Sequence, residues 1–227
     1  KLNFNAKRYS GCPDCDDFRG NRFECFMITV VEGASSNTFT DVRDGRVYEM
    51  VTIGTQTWMA ENLAYETTIG SFAYNHDESN VATYGRLYTW SAASTACPAG
   101  WKLPSNADWN ELIDYLNNNG YAYNNNTDWV AKAVSSTSGW FESSNQGSPG
   151  WQPGSNNSSG FNALPGGMKL FGDSFSAMGS YGHWWSSDTA SPSAGYCRTL
   201  NSWQTTFYEQ QLSMLFGFSV RCIKTED

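Results

Sequence analysis

Histidine is nearly absent from this sequence: there are 2 in 227 residues, His76 and His183. Two separated imidazoles cannot build a three-histidine iron site, and they leave zinc short of ligands. Basic side chains are also scarce. With 14 Lys plus Arg against 22 Asp plus Glu the net charge is -8 and no cationic run occurs, which argues against nucleic acid or an anionic membrane surface as a partner. Long apolar runs are missing as well. The most apolar stretch, Phe26 to Val31, has strand length, so no membrane span is expected. No internal repeat is visible. The chain starts at Lys1 without an initiator Met, from which an upstream segment carrying any export signal, since removed, is expected.

Aromatic residues make up 15% of the chain and charged residues only 16%, with Gly, Ser, Asn and Thr filling much of the rest. That mixture is typical of loop-rich extracellular proteins, and 40% hydrophobic residues suffice for a substantial core. The 6 cysteines, Cys12, Cys15, Cys25, Cys97, Cys197 and Cys222, are even in number and scattered, as expected of oxidised pairs in an exported protein.

Residues 1–40 read as a Cys-bearing extension in which a polar start leads into one strand, Phe23 to Val31. From Asp41 the text changes. Val47, Val51 and Ile53 fall on one face of an extended strand and Gly54 opens a turn into Thr55 to Met59, which predicts a β-hairpin. Ser105 is a suitable cap for a helix over 106–117, where Trp109, Leu112, Ile113 and Leu116 repeat at helical spacing and Gly120 supplies the stop. Shorter helices are expected over Trp129 to Val134 and Thr89 to Ala96. Residues 135–167 are too polar for a strand core and too aromatic for a linker, so a long ordered loop is expected. Short strands resume after it, in HWWSSD, GYCRTL and FGFSVRCIK.

A colinear set of blocks runs through residues 41–227: DGRVYEMVTIGTQTWMAENL, YGRLYTWSAA, CPAGWKLPSNADW, GWFES, GFNALPGG, WWSSD and GFSVRC. These blocks resemble the Fibrobacter succinogenes major paralogous domain family. Two of them, GWKLPSNADWNEL and GFSVRC, are also similar to the helix-entry motif and closing strand of the formylglycine-generating branch of the C-type lectin-like fold. The resemblance implies an α+β fold, a C-type lectin-like module with two or three short helices, short antiparallel strands and long ordered loops, following the N-terminal extension. It also implies a Cys97–Cys222 bridge tying the ends of the module, and it leaves Cys197 to bond Cys12, Cys15 or Cys25. The motif tryptophans Trp58, Trp90, Trp101, Trp109, Trp140, Trp184 and Trp185 are then expected in the core, with Trp109 beneath Trp101.

Catalysis does not follow from that resemblance. Formylglycine-generating enzymes need a reactive pair of late cysteines, and a bridge at Cys222 removes one of the only two here. The Cys12-Pro-Asp-Cys15 knuckle lacks two further zinc ligands, and Asp16 stands where a c-type haem site needs histidine. No hydrolase motif surrounds the carboxylates, and no cofactor is required. Calcium is the one ion the loops suit, with oxygen ligands at Asn124, Asn126 and Asp128 and further asparagines at Asn125, Asn156 and Asn157. The same asparagines are also ordinary turn formers.

Aromatics outside the motif blocks, Trp129, Trp151, Trp203, Tyr121 and Tyr123, are the residues on which a sugar ring would stack. The expected function is a non-enzymatic extracellular or cell-surface binding and adhesion module for a glycan or a surface protein. The alternative is a structural subunit of an extracellular filament or surface assembly, whose N-terminal strand adds to copies of itself.

Overall fold

The structure, a computed structural model, describes residues 5–8, 26–29 and 37–225. It contains two compact units, Lys1–Asn37 and Thr38–Asp227. In the first, β1 (Asn5–Arg8) pairs antiparallel with β2 (Phe26–Thr29), placing Asn5 opposite Thr29 and Arg8 opposite Phe26. Cys12, Cys15 and Cys25, with the pairings expected of them, lie outside the described residues.

The second unit opens with a meander of β3 (Thr38–Thr40), β4 (Val47–Ile53) and β5 (Gln56–Met59). Gly54 makes the β4–β5 turn at φ +63°, where a Cβ would also sit 2.8 Å from the Tyr115 ring. The hairpin is as the sequence predicts, and Val51 and Ile53 share a face as expected. Val47 is exposed and its neighbour Tyr48 is fully buried. β4 runs between two hydrophobic clusters, with Tyr48 and Met50 in one and Val51 and Ile53 in the other, so alternation along it does not report a single inward side.

Next come β6 (Ser71–Phe72), α1 (Val81–Tyr84), β7 (Leu87–Tyr88), α2 (Trp90–Ala96) and β8 (Trp101–Lys102). Thr89 is the cap of α2 rather than its first residue, its hydroxyl accepting the Ala92 N–H. The long helix, α3 (Asn106–Asn118), begins in a reciprocal capping box: Ser105 Oγ accepts the Asp108 N–H at 3.1 Å, and Asp108 Oδ2 accepts the Ser105 N–H at 2.7 Å. Its inward row is Trp109, Leu112 and Leu116, with Ile113 on the flank.

The helix expected from Trp129 is only α4 (Ala131–Val134). Asp128 is left-handed at φ +68°, so Trp129 stays in the loop that leads to the helix. Residues 135–167 form the expected long loop, with one 3-10 turn at Pro153–Ser155. The chain then makes β9 (Met168–Lys169), β10 (Phe175–Ser176), β11 (Tyr181–Ser191), β12 (Ala194–Asn201), β13 (Tyr208–Ser213), β14 (Phe218–Ser219) and β15 (Ile223–Lys224).

Two main sheets result, in the orders β13-β12-β11-β14-β7-β6 and β3-β4-β5-β15-β8. The last two strands are therefore interior, β14 to the first sheet and β15 to the second, and the architecture is α+β with few, short helices. The Cys97–Cys222 bridge implied by the resemblance is present, with its Cα atoms 5.9 Å apart across 125 residues. Closing a loop of that length stabilises the fold by about 5 kcal/mol in the chain-entropy account.

The two clusters divide the motif tryptophans. Trp58 packs on Trp109 with ring centroids 4.7 Å apart, and Phe161, Phe207 and Trp184 complete that cluster. Trp101 is not above Trp109, as expected from sequence; it lies in the other cluster against Phe39, with Trp185, Phe218 and the disulfide. Between strand and loop sits Arg221, fully buried. It donates to Asn62 Oδ1 at 2.8 Å, Phe161 O at 2.5 Å and Met59 O at 3.2 Å, with its guanidinium over the Phe161 ring. Burial pulls this group down to about 9, and neutral acceptors satisfy it in place of a carboxylate.

Cys197 corrects a sequence expectation. It is a free thiol, buried on β12 across the ladder from Trp185 and within the disulfide-bearing cluster, rather than a partner of Cys12, Cys15 or Cys25. Its inward position on the strand shields it. Among the described residues no helix is long and apolar enough to cross a membrane.

Candidate functional site: an aromatic rim

Three of the five aromatics expected to bind come together. Asn124 and Asn125 take left-handed conformations, at φ 51° and 57°, and with Asp128 they fold the chain back so that the Tyr123 N–H donates to the Trp129 carbonyl at 2.9 Å. The Tyr123 and Trp129 rings are then nearly parallel, 12° apart with centroids at 6.4 Å, while Trp151 meets Tyr123 edge-on at 5.6 Å. Gly147, at φ +82°, closes against both rings; a Cβ there would sit 2.8 Å from Tyr123 and 3.1 Å from Trp129. All three rings are half-buried. Tyr121 does not join them. It packs beside Tyr115 on the flank of the Trp109 cluster.

Trp203 stands in the turn between β12 and β13 and is 43% exposed. Its ring rests at 88° to Tyr181 with centroids 5.1 Å apart, and its backbone is pinned at both ends: Asn201 Oδ1 accepts its N–H and Asn145 Nδ2 donates to its carbonyl at 2.6 Å. Phe141, 61% exposed, is the second exposed ring of this region, fixed by its N–H to Gly179 O at 2.8 Å. Sequence reasoning missed Phe141 because it lies inside a motif block. The available signal was its neighbour: on extended backbone, successive side chains point opposite ways, so a core Trp140 turns Phe141 outward.

One loop serves both groups. Ser143 and Gly150 close it with an N–H to carbonyl bond at 3.0 Å, and Gly150 donates to Ser202 O at 2.9 Å, beside Trp203. Gly147 of the same loop touches Tyr123 and Trp129. Glu142, Ser144, Asn145 and Gln146 of this loop and Gln204 beyond Trp203 are exposed, so hydrogen-bonding groups lie beside the rings. The result is a rim of fixed aromatics with exposed polar side chains on the loop that joins its two parts.

The residues expected to suit calcium shape the Tyr123 turn. Asn126 Nδ2 donates to Tyr123 O, and Asp128 Oδ1 accepts from Asn117 Nδ2 at 3.1 Å. Asn124 contributes a left-handed turn. Among the described residues no three His, Cys, Asp or Glu are grouped to hold a metal. Asn156 Oδ1 accepts from the Lys132 ammonium at 2.6 Å.

Of the described cysteines and histidines, all but His76 are sealed. Burial pushes the Cys197 thiol up to about 12, and Cys222 is bridged. His183 lies between Tyr181 and Phe218, with Nδ1 at 2.9 Å from Thr199 Oγ1 and Nε2 without a partner; burial pulls it down to about 3. His76 is exposed, 3.8 Å from Asp173. An open groove near Arg43 and Tyr65 has its guanidinium already paired with Asp41 at 2.7 Å.

The family model described as Fibrobacter succinogenes major domain matches residues 51–224, which include both parts of the rim. Neither the comparison with curated proteins nor that with solved structures gives a match.

Proposed function

The chain belongs to the Fibrobacter succinogenes major domain family, and from that premise we propose that it is a non-enzymatic, extracellular or cell-surface binding module whose aromatic rim holds a glycan. The observation that carries this reading is Trp203: a large ring left 43% exposed in a folded domain, yet fixed by Tyr181, Asn145 and Asn201. A ring held in place before binding loses little entropy on contact, and the axial C–H face of a sugar packs well on an indole. A C-type lectin-like architecture is part of the proposal. The capped helix after Cys97 and the bridge from Cys97 to the closing strands support it.

The non-enzymatic part rests on where the reactive groups lie. Thiol chemistry needs an accessible thiolate, whereas Cys197 is buried and protonated and Cys222 is bridged. General acid–base work by His183 would need a titratable, reachable imidazole, and burial denies both. We rank the assembly-subunit reading lower, because one edge of β2, the strand it would donate, is already taken by β1 of its own unit.

Retention on insoluble cellulose, xylan and chitin and on mucin-coated beads tests the proposal. The parent is expected to be retained on at least one of them, and Trp203→Ala to weaken retention about tenfold, the loss of roughly 1.4 kcal/mol of stacking. A parent that passes through every matrix, or a Trp203→Ala variant retained like the parent, would overturn it.

A further inference from the structure

We propose that the ammonium group of Lys132 acts as a built-in cation that organises the Trp151 loop, doing the work that a bound metal ion could do there. Lys132 lies on α4, only 6% exposed, with no carboxylate at ion-pair distance among the described residues. Its Nζ donates to Trp151 O at 2.6 Å, Gln152 O at 2.9 Å and Asn156 Oδ1 at 2.6 Å, so each of its three hydrogens has an acceptor.

Three convergent neutral oxygens, two from successive backbone carbonyls and one from an asparagine amide, are what a loop offers a hard cation. Gln152 reaches this arrangement by taking a left-handed conformation at φ 46°, an uncommon geometry for a residue that is not glycine. Asn156 extends the network. Its Nδ2 donates to Ser136 O and Pro149 O, both at 2.9 Å, and Asn157 N–H donates to Lys132 O at 3.1 Å. The ammonium thus joins α4 to both limbs of the loop, and it also lies 5.4 Å from the Trp151 ring centroid. Without it, Trp151 O and Asn156 Oδ1 face inward with no donor, Gln152 O keeps only its bonds from the Ser155 N–H and hydroxyl, and the loop must open to hydrate the first two.

Lys132 is therefore a positioning residue. It sets Trp151 against Tyr123 and makes the loop independent of calcium. Its bearing on binding rests on the glycan reading given above, while its effect on the loop does not, so the two fail separately.

Hydrogen exchange of residues 148–157 in the full chain tests it. In the parent, exchange is expected to be the same in 1 mM EDTA and in 1 mM calcium. Lys132→Met, of similar length but uncharged, should raise exchange in that segment at least tenfold while α3 is unchanged. Lys132→Arg, which keeps the cation, should lie closer to the parent than Lys132→Met. A second readout needs no variant: the Lys132 ammonium should give a slowly exchanging nitrogen-detected NMR signal, unlike exposed lysines. Loop exchange that rises on chelation, a Lys132→Met variant protected like the parent, Lys132→Arg worse than Lys132→Met, or an ammonium exchanging as fast as surface lysines would each overturn the proposal.

Discussion

The motif tryptophans and the tryptophans outside the motifs differ less in kind than in what their two ends meet. Trp58, Trp109, Trp184 and Trp185 are fully buried, and most indole N–H groups of the motif set are used internally: Trp184 on Asn62 at 2.8 Å, Trp185 on Tyr88 O at 2.7 Å, Trp90 on Ser186 O at 2.9 Å. Trp101 and Trp109 are the exceptions, with no acceptor among the described residues, and the Trp109 nitrogen is buried. Trp129, Trp151 and Trp203 are held by their backbones and ring edges, and among the described residues Nε1 of none of them reaches an acceptor. A ring fixed by its backbone, with its polar end free, is equipped to meet something outside the protein. A ring whose polar end is already bonded inside is equipped to hold the fold.

That contrast predicts opposite results from the same substitution. Trp109→Ala and Trp184→Ala should each cost about 3–5 kcal/mol in urea unfolding, whereas Trp203→Ala should cost less than about 1 kcal/mol. Similar losses for all three would erase the distinction. Replacing Cys97 and Cys222 together by Ala should cost about 2–5 kcal/mol by the same measurement.

His183 gives a pH test of the core side. Its native pKa, about 3, is depressed from an ordinary 6.5, so the unfolded state takes up a proton that the native state refuses. Its contribution is complete above the unfolded value and falls with pH across that window, by about 1.4 kcal/mol per pH unit. In urea titrations at pH 7 and pH 5, His183→Gln should lose less stability on acidification than the parent. Equal losses would mean that this imidazole is hydrated.

A smaller effect than that of any buried tryptophan belongs to the cap of α3. Burial raises the Asp108 pKa, but hydrogen bonds from the Ser105 N–H and hydroxyl and from Lys102 outweigh it, leaving the net value below the carboxylate range. Its stabilising effect is thus present above the unfolded carboxylate pKa and lost as pH falls through the native one. Ser105→Ala should cost about 1 kcal/mol at neutral pH in thermal unfolding.

Much of the fold was legible because local chemistry and burial agree there. The capping box at Ser105 and the Trp109, Leu112, Leu116 row specify α3 on their own, and the motif blocks carry the bridge that joins Cys97 to Cys222. On β4 the shared face of Val51 and Ile53 was legible but the burial of Tyr48 opposite it was not, because the strand separates two clusters. Cys197 was misassigned because counting cysteines says nothing of which face of β12 each one occupies. The rim was half legible. Non-motif aromatics pointed to Tyr123, Trp129, Trp151 and Trp203, but Phe141 needed the outward alternation from Trp140, and Lys132 had no sequence signal at all, since its acceptors are mostly backbone carbonyls.

The most direct test is to watch the indole N–H resonances during titration with cello-, xylo- and chito-oligosaccharides. The account predicts that the oligosaccharide matching the retaining polymer shifts the Trp203 indole signal most and leaves those of Trp184 and Trp185 in place. Shifts confined to the buried tryptophans, or no shift at Trp203 with a saccharide that does bind, would contradict it.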